Sequence, residues 1–241
     1  MNTPNTADWL TAIGTIVLAI GTILLAIIAT FQDKVRSWVW HPKLDLLVNG
    51  RPPDCNKTPI SGHRLPDGQR VVADGYYLRL KVINSGNQQA EFVEVFVNKL
   101  SKLQRDTTFK EINSFLPINL LWANFNEAVV FAPVINPGMH LYCNLAHIID
   151  PQRRPEFAIP VAEDKHGEDV LPEKAILSFD TAVRAYTQSY LVPPGTYKLD
   201  LKIAAANMKP IERSLEVTLT GNWTTNEEKM LGEEIGIRLL P

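Results

Sequence analysis

His140, Cys143 and His147 bring together the residue types best suited to hold a metal, in the pattern H-x2-C-x3-H. Zinc takes converging imidazole nitrogens and thiolate sulfurs, and this spacing is of the ligand kind. The segment that carries them, MHLYCNLAHI (139–148), alternates apolar and polar residues and reads as a β-strand. Successive side chains on a strand point to opposite faces. Met139, Leu141, Cys143, Leu145 and His147 therefore share one face, and His140 points the other way. Cys143, between Leu141 and Leu145, reads as a core thiol, and no metal site is expected. Cys55 is the second of two cysteines. The two could pair in an oxidising compartment, whereas free thiols fit a reducing one.

Paired acids occur at Glu163-Asp164, Glu168-Asp169 and Glu233-Glu234. General acid–base work needs two carboxylates in a shaped cleft with separated pKa values, and adjacent acids in polar segments read as solvated surface. The first two pairs flank Lys165-His166-Gly167, but the spacing of a calcium-binding EF-hand is missing. The chain has no GxSxG, HExxH, GxxxxGK[ST] or GxGxxG. No catalytic residue and no cofactor are expected, and the chain is read as a non-enzyme. Arg153-Arg154, between Pro151 and Pro155, is a small basic spot suited to a solvated loop tip or an acidic contact. Trp122 and Trp223 read as core or rim packing. A net charge of −2 offers no general attraction to nucleic acid.

The elements that would position these residues follow from hydropathy. The chain has 241 residues, 45% of them hydrophobic and 21% charged, which suits a folded globular protein. One asymmetry stands out. From Trp9 to Gln32 there is no charged side chain, and Asp8 and Asp33 bound the run. A bilayer core about 30 Å thick needs about 20 helical residues, so this stretch reads as a transmembrane helix. The tail before it, MNTPNTAD, lacks the basic residues of a signal peptide, so an uncleaved anchor is expected. Lys34, Arg36 and Lys43 follow the run, with Trp38 and Trp40 among them. Basic residues stay cytoplasmic and Trp sits at headgroup depth, which places the N-terminus outside and the folded part in the cytoplasm.

The run contains a near repeat, IGTIVLA (13–19) and IGTILLA (20–26). Ala12, Thr15, Ala19, Thr22, Ala26 and Ala29 fall at 3-4 spacing on one stripe of such a helix. Small residues let helices approach closely in lipid and Thr hydroxyls can bond across the contact, so these six form a candidate association seam.

The remainder reads as short strands separated by turns. KLDLLV (43–48) is a first strand, and residues 49–70, with four Pro and three Gly, read as a long loop. GYYLRLKVIN (75–84) alternates with Tyr76, Leu78, Leu80 and Val82 on its core face, and AEFVEVFVNKL (90–100) alternates after the turn SGNQQ. The two read as an antiparallel hairpin. Further strands are read at 129–135, 139–148, 174–183 and in the unit 193–221. Residues 101–127 and 150–173 read mostly as loops, and 223–241 as a short helix or an edge strand. Seven to nine short strands with no alternating helices predict an antiparallel β-sandwich. The expected organisation is a tail at 1–8, a transmembrane helix at 9–32, a connector at 33–42, a sandwich at 43–222 and a C-terminal tail at 223–241.

YYLRLKVINSGNQQAEFVEVFV (76–97) resembles bacterial adhesion-type and fibronectin-like modules, in which a strand ending V-x-N-x-G turns into a strand of alternating Val. Asn84 and Gly86 match that turn, and PPGTYKLDLKI (193–203) is similar to their late P-G-x-Y-x-L-x-L strand. The resemblance implies an immunoglobulin-like β-sandwich, here with long loop insertions, in a binding or spacer role. The expected protein is mainly β, anchored by one helix in a bacterial inner membrane. Its expected partners are the lipid bilayer, another protein, and a second copy through the helix. The alternative is an outward-facing envelope module that binds carbohydrate or another envelope component.

Overall fold

The structure, a computed structural model, describes residues 5–64, 68–125, 128–157 and 172–241. The chain divides into two units, Met1–His41 and Pro42–Pro241.

The first unit is built on one helix, α1 (Thr6–Val39). Asp8 lies in its first turn, where a carboxylate complements the helix dipole, and its Oδ2 accepts a hydrogen bond from the Asn5 amide at 3.1 Å. The apolar part, Thr6–Phe31, is 26 residues long. At 1.5 Å per residue it measures about 39 Å, enough to cross a bilayer core with some tilt. The helix continues through Val39, so the segment after Asp33 is helical rather than irregular.

The second unit is mainly β. Among the described residues it holds two seven-stranded sheets, antiparallel throughout. The first sheet is centred on β3 (Arg70–Asn84). β1 (Leu44–Leu47) and β2 (Cys55–Arg64) pair with opposite ends of β3, and β9 (His140–Ile149) also pairs with it. β9 also pairs with β7 (Leu121–Trp122) and β10 (Leu177–Phe179), and β11 (Leu191–Val192) pairs with β10. The second sheet is centred on β4 (Ala90–Leu103) and β12 (Gly195–Ala205). β5 (Phe109–Glu111), β6 (Ile118–Asn119) and β8 (Phe131–Ile135) pair with β4. β13 (Met208–Leu219) and β14 (Ile235–Leu239) follow β12 in order.

Alternation dictates the core. Leu78, Leu80 and Val82 of β3 are buried in one cluster with Val93, Val95 and Val97 of β4 and Leu199, Leu201 and Ile203 of β12. Leu177, Phe179 and Val192 of the first sheet and Leu100, Tyr197 and Val217 of the second close on a gap of only about 10 Å³. The sheets therefore pack face to face, in the manner of a sandwich.

Several expectations hold at the level of elements. β1 falls within 43–48, and 193–221 folds as the β12–β13 hairpin. The stretch 223–241 contains both a helical turn, α2 (Glu227–Lys229), and an edge strand, β14. Two expectations fail. The loop at 49–70 contains β2, whose Pro59 and Gly62 look like turn residues. Among the described residues β2 pairs only with β3, and an outer strand tolerates a proline that lacks a ladder donor. The expected hairpin between 75–84 and 90–100 does not form, because β3 and β4 belong to different sheets. Asn84 explains the crossing. Its buried Oδ1 accepts from the amides of Lys43 (3.1 Å) and Gly86 (3.0 Å), and its Nδ2 donates to the carbonyls of Gln88 (2.7 Å) and Ile135 (2.9 Å). The turn is thus clamped to the chain entering β1 and to the end of β8, and the chain leaves one sheet for the other.

Candidate functional site

The sequence-predicted residues come first. Cys143 and His147 do not share a face. The β3–β9 register shifts at Leu145, so Cys143 lies opposite Leu80 on the core side and His147 opposite Tyr77 on the outer side. The Cys143 thiol donates to the Leu121 carbonyl at 3.4 Å, and His147 Nδ1 lies 2.8 Å from Asp180 Oδ1. His140 packs edge-on to Tyr142, with ring centres 5.5 Å apart. Among the described residues no three His, Cys, Asp or Glu side chains converge to hold a metal.

Cys55 and Cys143 are both free and buried. They face Leu78 and Leu80 from opposite sides of β3. Two strand spacings separate them by about 10 Å, beyond the Cα separation a disulfide tolerates. Burial pushes the Cys55 thiol up to about 11, and burial with the nearby Asp180 charge pushes Cys143 well above its usual value. Neither is poised as a nucleophile, since the thiolate is the reactive form.

The acid pairs and the basic spot separate in the same way. Glu163-Asp164 and Glu168-Asp169 lie outside the described residues. Glu234 is buried, and hydrogen bonds from Thr220 and Asn222 hold its carboxyl below the usual range. Arg153 pairs with Glu156 at 2.5 Å on the surface. Arg154 turns inward instead and donates to the Pro172 carbonyl, and burial lowers its pKa. Trp122 is buried, and Trp223 packs edge-on to Tyr76 at 5.3 Å.

Ala12, Thr15, Ala19, Thr22, Ala26 and Ala29 all lie on α1 and are exposed. Thr15 Oγ1 donates to the Thr11 carbonyl at 2.9 Å, and Thr22 Oγ1 to the Leu18 carbonyl at 2.8 Å. Their hydroxyl donors are satisfied within the helix, which lets both residues sit in lipid at little cost.

Among the described residues, two concave sites of the β unit stand out. The larger, about 790 Å³, is lined by Asp45, Lys99, Asp200, Lys202, Glu212 and Arg213 among others. Its charges are mixed and in part already paired: Arg213 bonds Asp45 at 2.9 Å, and Ser214 donates to Asp200 at 2.7 Å. The smaller, about 390 Å³, is a groove between residues 116–119 and the β10–β11 connection at 181–190. A single bridge, Leu120 to Thr181, and the Leu121 amide on the Asp180 carbonyl (3.1 Å) bring these distant segments together. Phe115 packs edge-on to Phe179 behind them, with ring centres 6.1 Å apart.

Among the described residues, no charged side chain lines the groove. Its walls are apolar, and two buried polar atoms, Asn119 Oδ1 and Ser189 Oγ, have no hydrogen-bond partner among the described residues. An apolar concavity of this size with a few polar groups is the usual form of a binding site. Sequence reasoning missed it. A usable signal was present in TAVRAYTQSY (181–190), a connection between strands that carries apolar and aromatic residues where polar ones are the rule. Comparison with protein families, with curated proteins and with solved structures finds no match for the chain.

Proposed function

We propose that this chain is a single-pass protein of a bacterial inner membrane, with its N-terminus outside and its β unit on the cytoplasmic side. The β unit, taken as an immunoglobulin-like sandwich, acts as a non-enzymatic module that binds a protein partner at the membrane surface. The observation that carries this reading is α1, whose 26-residue segment Thr6–Phe31 is long and apolar enough to cross a membrane. Lipid is the environment that accepts such a surface. Lys34, Arg36 and Lys43 on the β-unit side favour the cytoplasmic orientation, as do two thiols left unpaired. A strand that passes to the facing sheet through a short turn is common in Greek-key sandwiches, which supports the immunoglobulin-like reading. The uncharged groove supports protein binding, and the small-residue stripe supports pairing of two copies through α1.

The outward-facing, carbohydrate-binding alternative rests on the large polar cleft. Among the described residues that cleft has no aromatic ring in its lining to cover the apolar face of a sugar, so it ranks second.

Fractionation with protease protection tests the reading. The full-length chain is expected to stay in carbonate-washed membranes, and its β unit to be cut only after the inner membrane is opened. Crosslinking in intact membranes is expected to give a discrete adduct with another protein. Recovery in the soluble fraction removes the anchor, cleavage from outside reverses the orientation, and absence of an adduct removes the binding role.

A further inference from the structure

We infer that the groove between residues 116–119 and 181–190 is a peptide-docking site for an extended, apolar stretch of a partner protein flanked by an aspartate or glutamate. The inference rests on the protein-binding reading above and gives it a surface and a partner chemistry.

Three observations carry it. First, Leu116, Pro117, Ile118, Val130, Val183 and Tyr190 wall a groove of about 390 Å³ that contains no charged side chain among the described residues. A charged residue placed there would lose its hydration without gaining a partner, so the inserted stretch is uncharged.

Second, the groove holds unmet hydrogen-bonding capacity. Ser189 is only 4% exposed, and its Oγ has no partner among the described residues. Asn119 spends its Nδ2 on Glu94 Oε1 at 3.1 Å, which leaves its buried Oδ1 needing a donor. An alkyl chain cannot supply that donor. An extended peptide offers N–H and C=O groups along both edges and can serve both residues once their enclosed oxygens turn toward it.

Third, the rim has an open charge. The Arg184 guanidinium lies over the Tyr190 ring, 5.7 Å from its centre, and has no acidic partner among the described residues. An acidic side chain flanking the docked stretch fits it. Val183 and Tyr186, 79% and 92% exposed on the same connection, are apolar contacts waiting for a surface, and tyrosine is an enriched interface residue.

The test pans the full-length protein, held in lipid nanodiscs, against a displayed library of random linear peptides. The expected result is a family that shares an apolar run beside Asp or Glu. Ser189→Ala is expected to weaken that family about fivefold, the worth of one hydrogen bond, while leaving the thermal midpoint unchanged or higher, because it removes an unpartnered buried hydroxyl. Arg184→Glu, a change at an exposed position, is expected to turn the preference of the flank from acidic to basic. Enrichment of no family overturns the site, as does a family that binds both variants as it binds the wild type. Crosslinking separates this failure from that of the broader reading. A protein adduct kept by Arg184→Glu and by Val183→Asp overturns the groove and leaves protein binding standing, whereas a wild type that forms no adduct removes the broader reading.

Discussion

Asn84 shows how much one amide can decide. All its side-chain hydrogen-bonding positions are occupied, and their partners lie before β1, within the turn and at the end of β8. The residue is fully buried, so none of those partners has water as a substitute. Asn84→Ala leaves two amides and two carbonyls without their acceptor or donor at the point where the chain changes sheets. The expected loss is about 3 kcal/mol, as several buried groups lose partners together. Urea unfolding of the variant measures it, and a loss within about 0.5 kcal/mol, typical of a neutral surface change, would show that the clamp is not needed. The same residue marks a limit of reading by pattern. V-x-N-x-G looks like the turn of a hairpin, and the turn is there. What the asparagine bonds to, and hence where the next strand goes, depends on segments about 40 and 50 residues away.

At the scale of elements, alternation was legible and pairing was not. Tyr76, Leu78, Leu80 and Val82 lie on the buried face as the sequence predicts, and in the alternating stretch 90–100 the buried set is Val93, Val95 and Val97. Alternation says which face of a strand is apolar, but not which strand lies beside it. β2 was hidden by Pro59 and Gly62. The bulge at Leu145 moved His147 away from the face of Cys143, and no periodicity announces a bulge. The groove was illegible for a related reason: its walls come from segments some 60 residues apart, joined by the Leu120–Thr181 bridge and the Leu121–Asp180 hydrogen bond. α1 is the opposite case, since a helix long and apolar enough to cross a membrane is read directly from length and composition. Its stripe makes a directional prediction. Ala19→Leu or Ala26→Leu puts bulk into the proposed seam and should weaken crosslinking between copies, whereas Ile16→Leu lies off the stripe and should change little. Thr15→Val should have a smaller effect than Ala19→Leu, because the Thr15 hydroxyl already donates within its own helix. Equal crosslinking by Ala19→Leu and Ile16→Leu would remove the seam.

At the scale of the whole molecule, the proposed anchor and the β unit should be separable. Among the described residues the core cluster of the β unit is built from residues after Pro42, so residues 42–241 should fold alone, dissolve without detergent and give a β-dominated circular dichroism spectrum. The stability of that fragment should also depend on alkaline pH in a defined way. Burial pushes Tyr77 up to about 12, with the Asp180 charge adding to it and Arg79 opposing it. Burial also pushes Tyr76 up to about 12, with Glu227 and Asp74 adding. An unfolded tyrosine releases its proton near pH 10, so between about pH 10 and 12 the unfolded chain gives up protons that the folded chain retains. The folded state is therefore penalised as pH rises through this window and unaffected by these two groups below it. Each shift corresponds to about 2–3 kcal/mol at the upper end. Urea midpoints measured across the window should fall, and Tyr77→Phe should flatten part of the fall because its ring has no proton to lose. A midpoint that stays level from about pH 9 to 12 would show that the two hydroxyls titrate alike in both states, and that water reaches them in the folded unit.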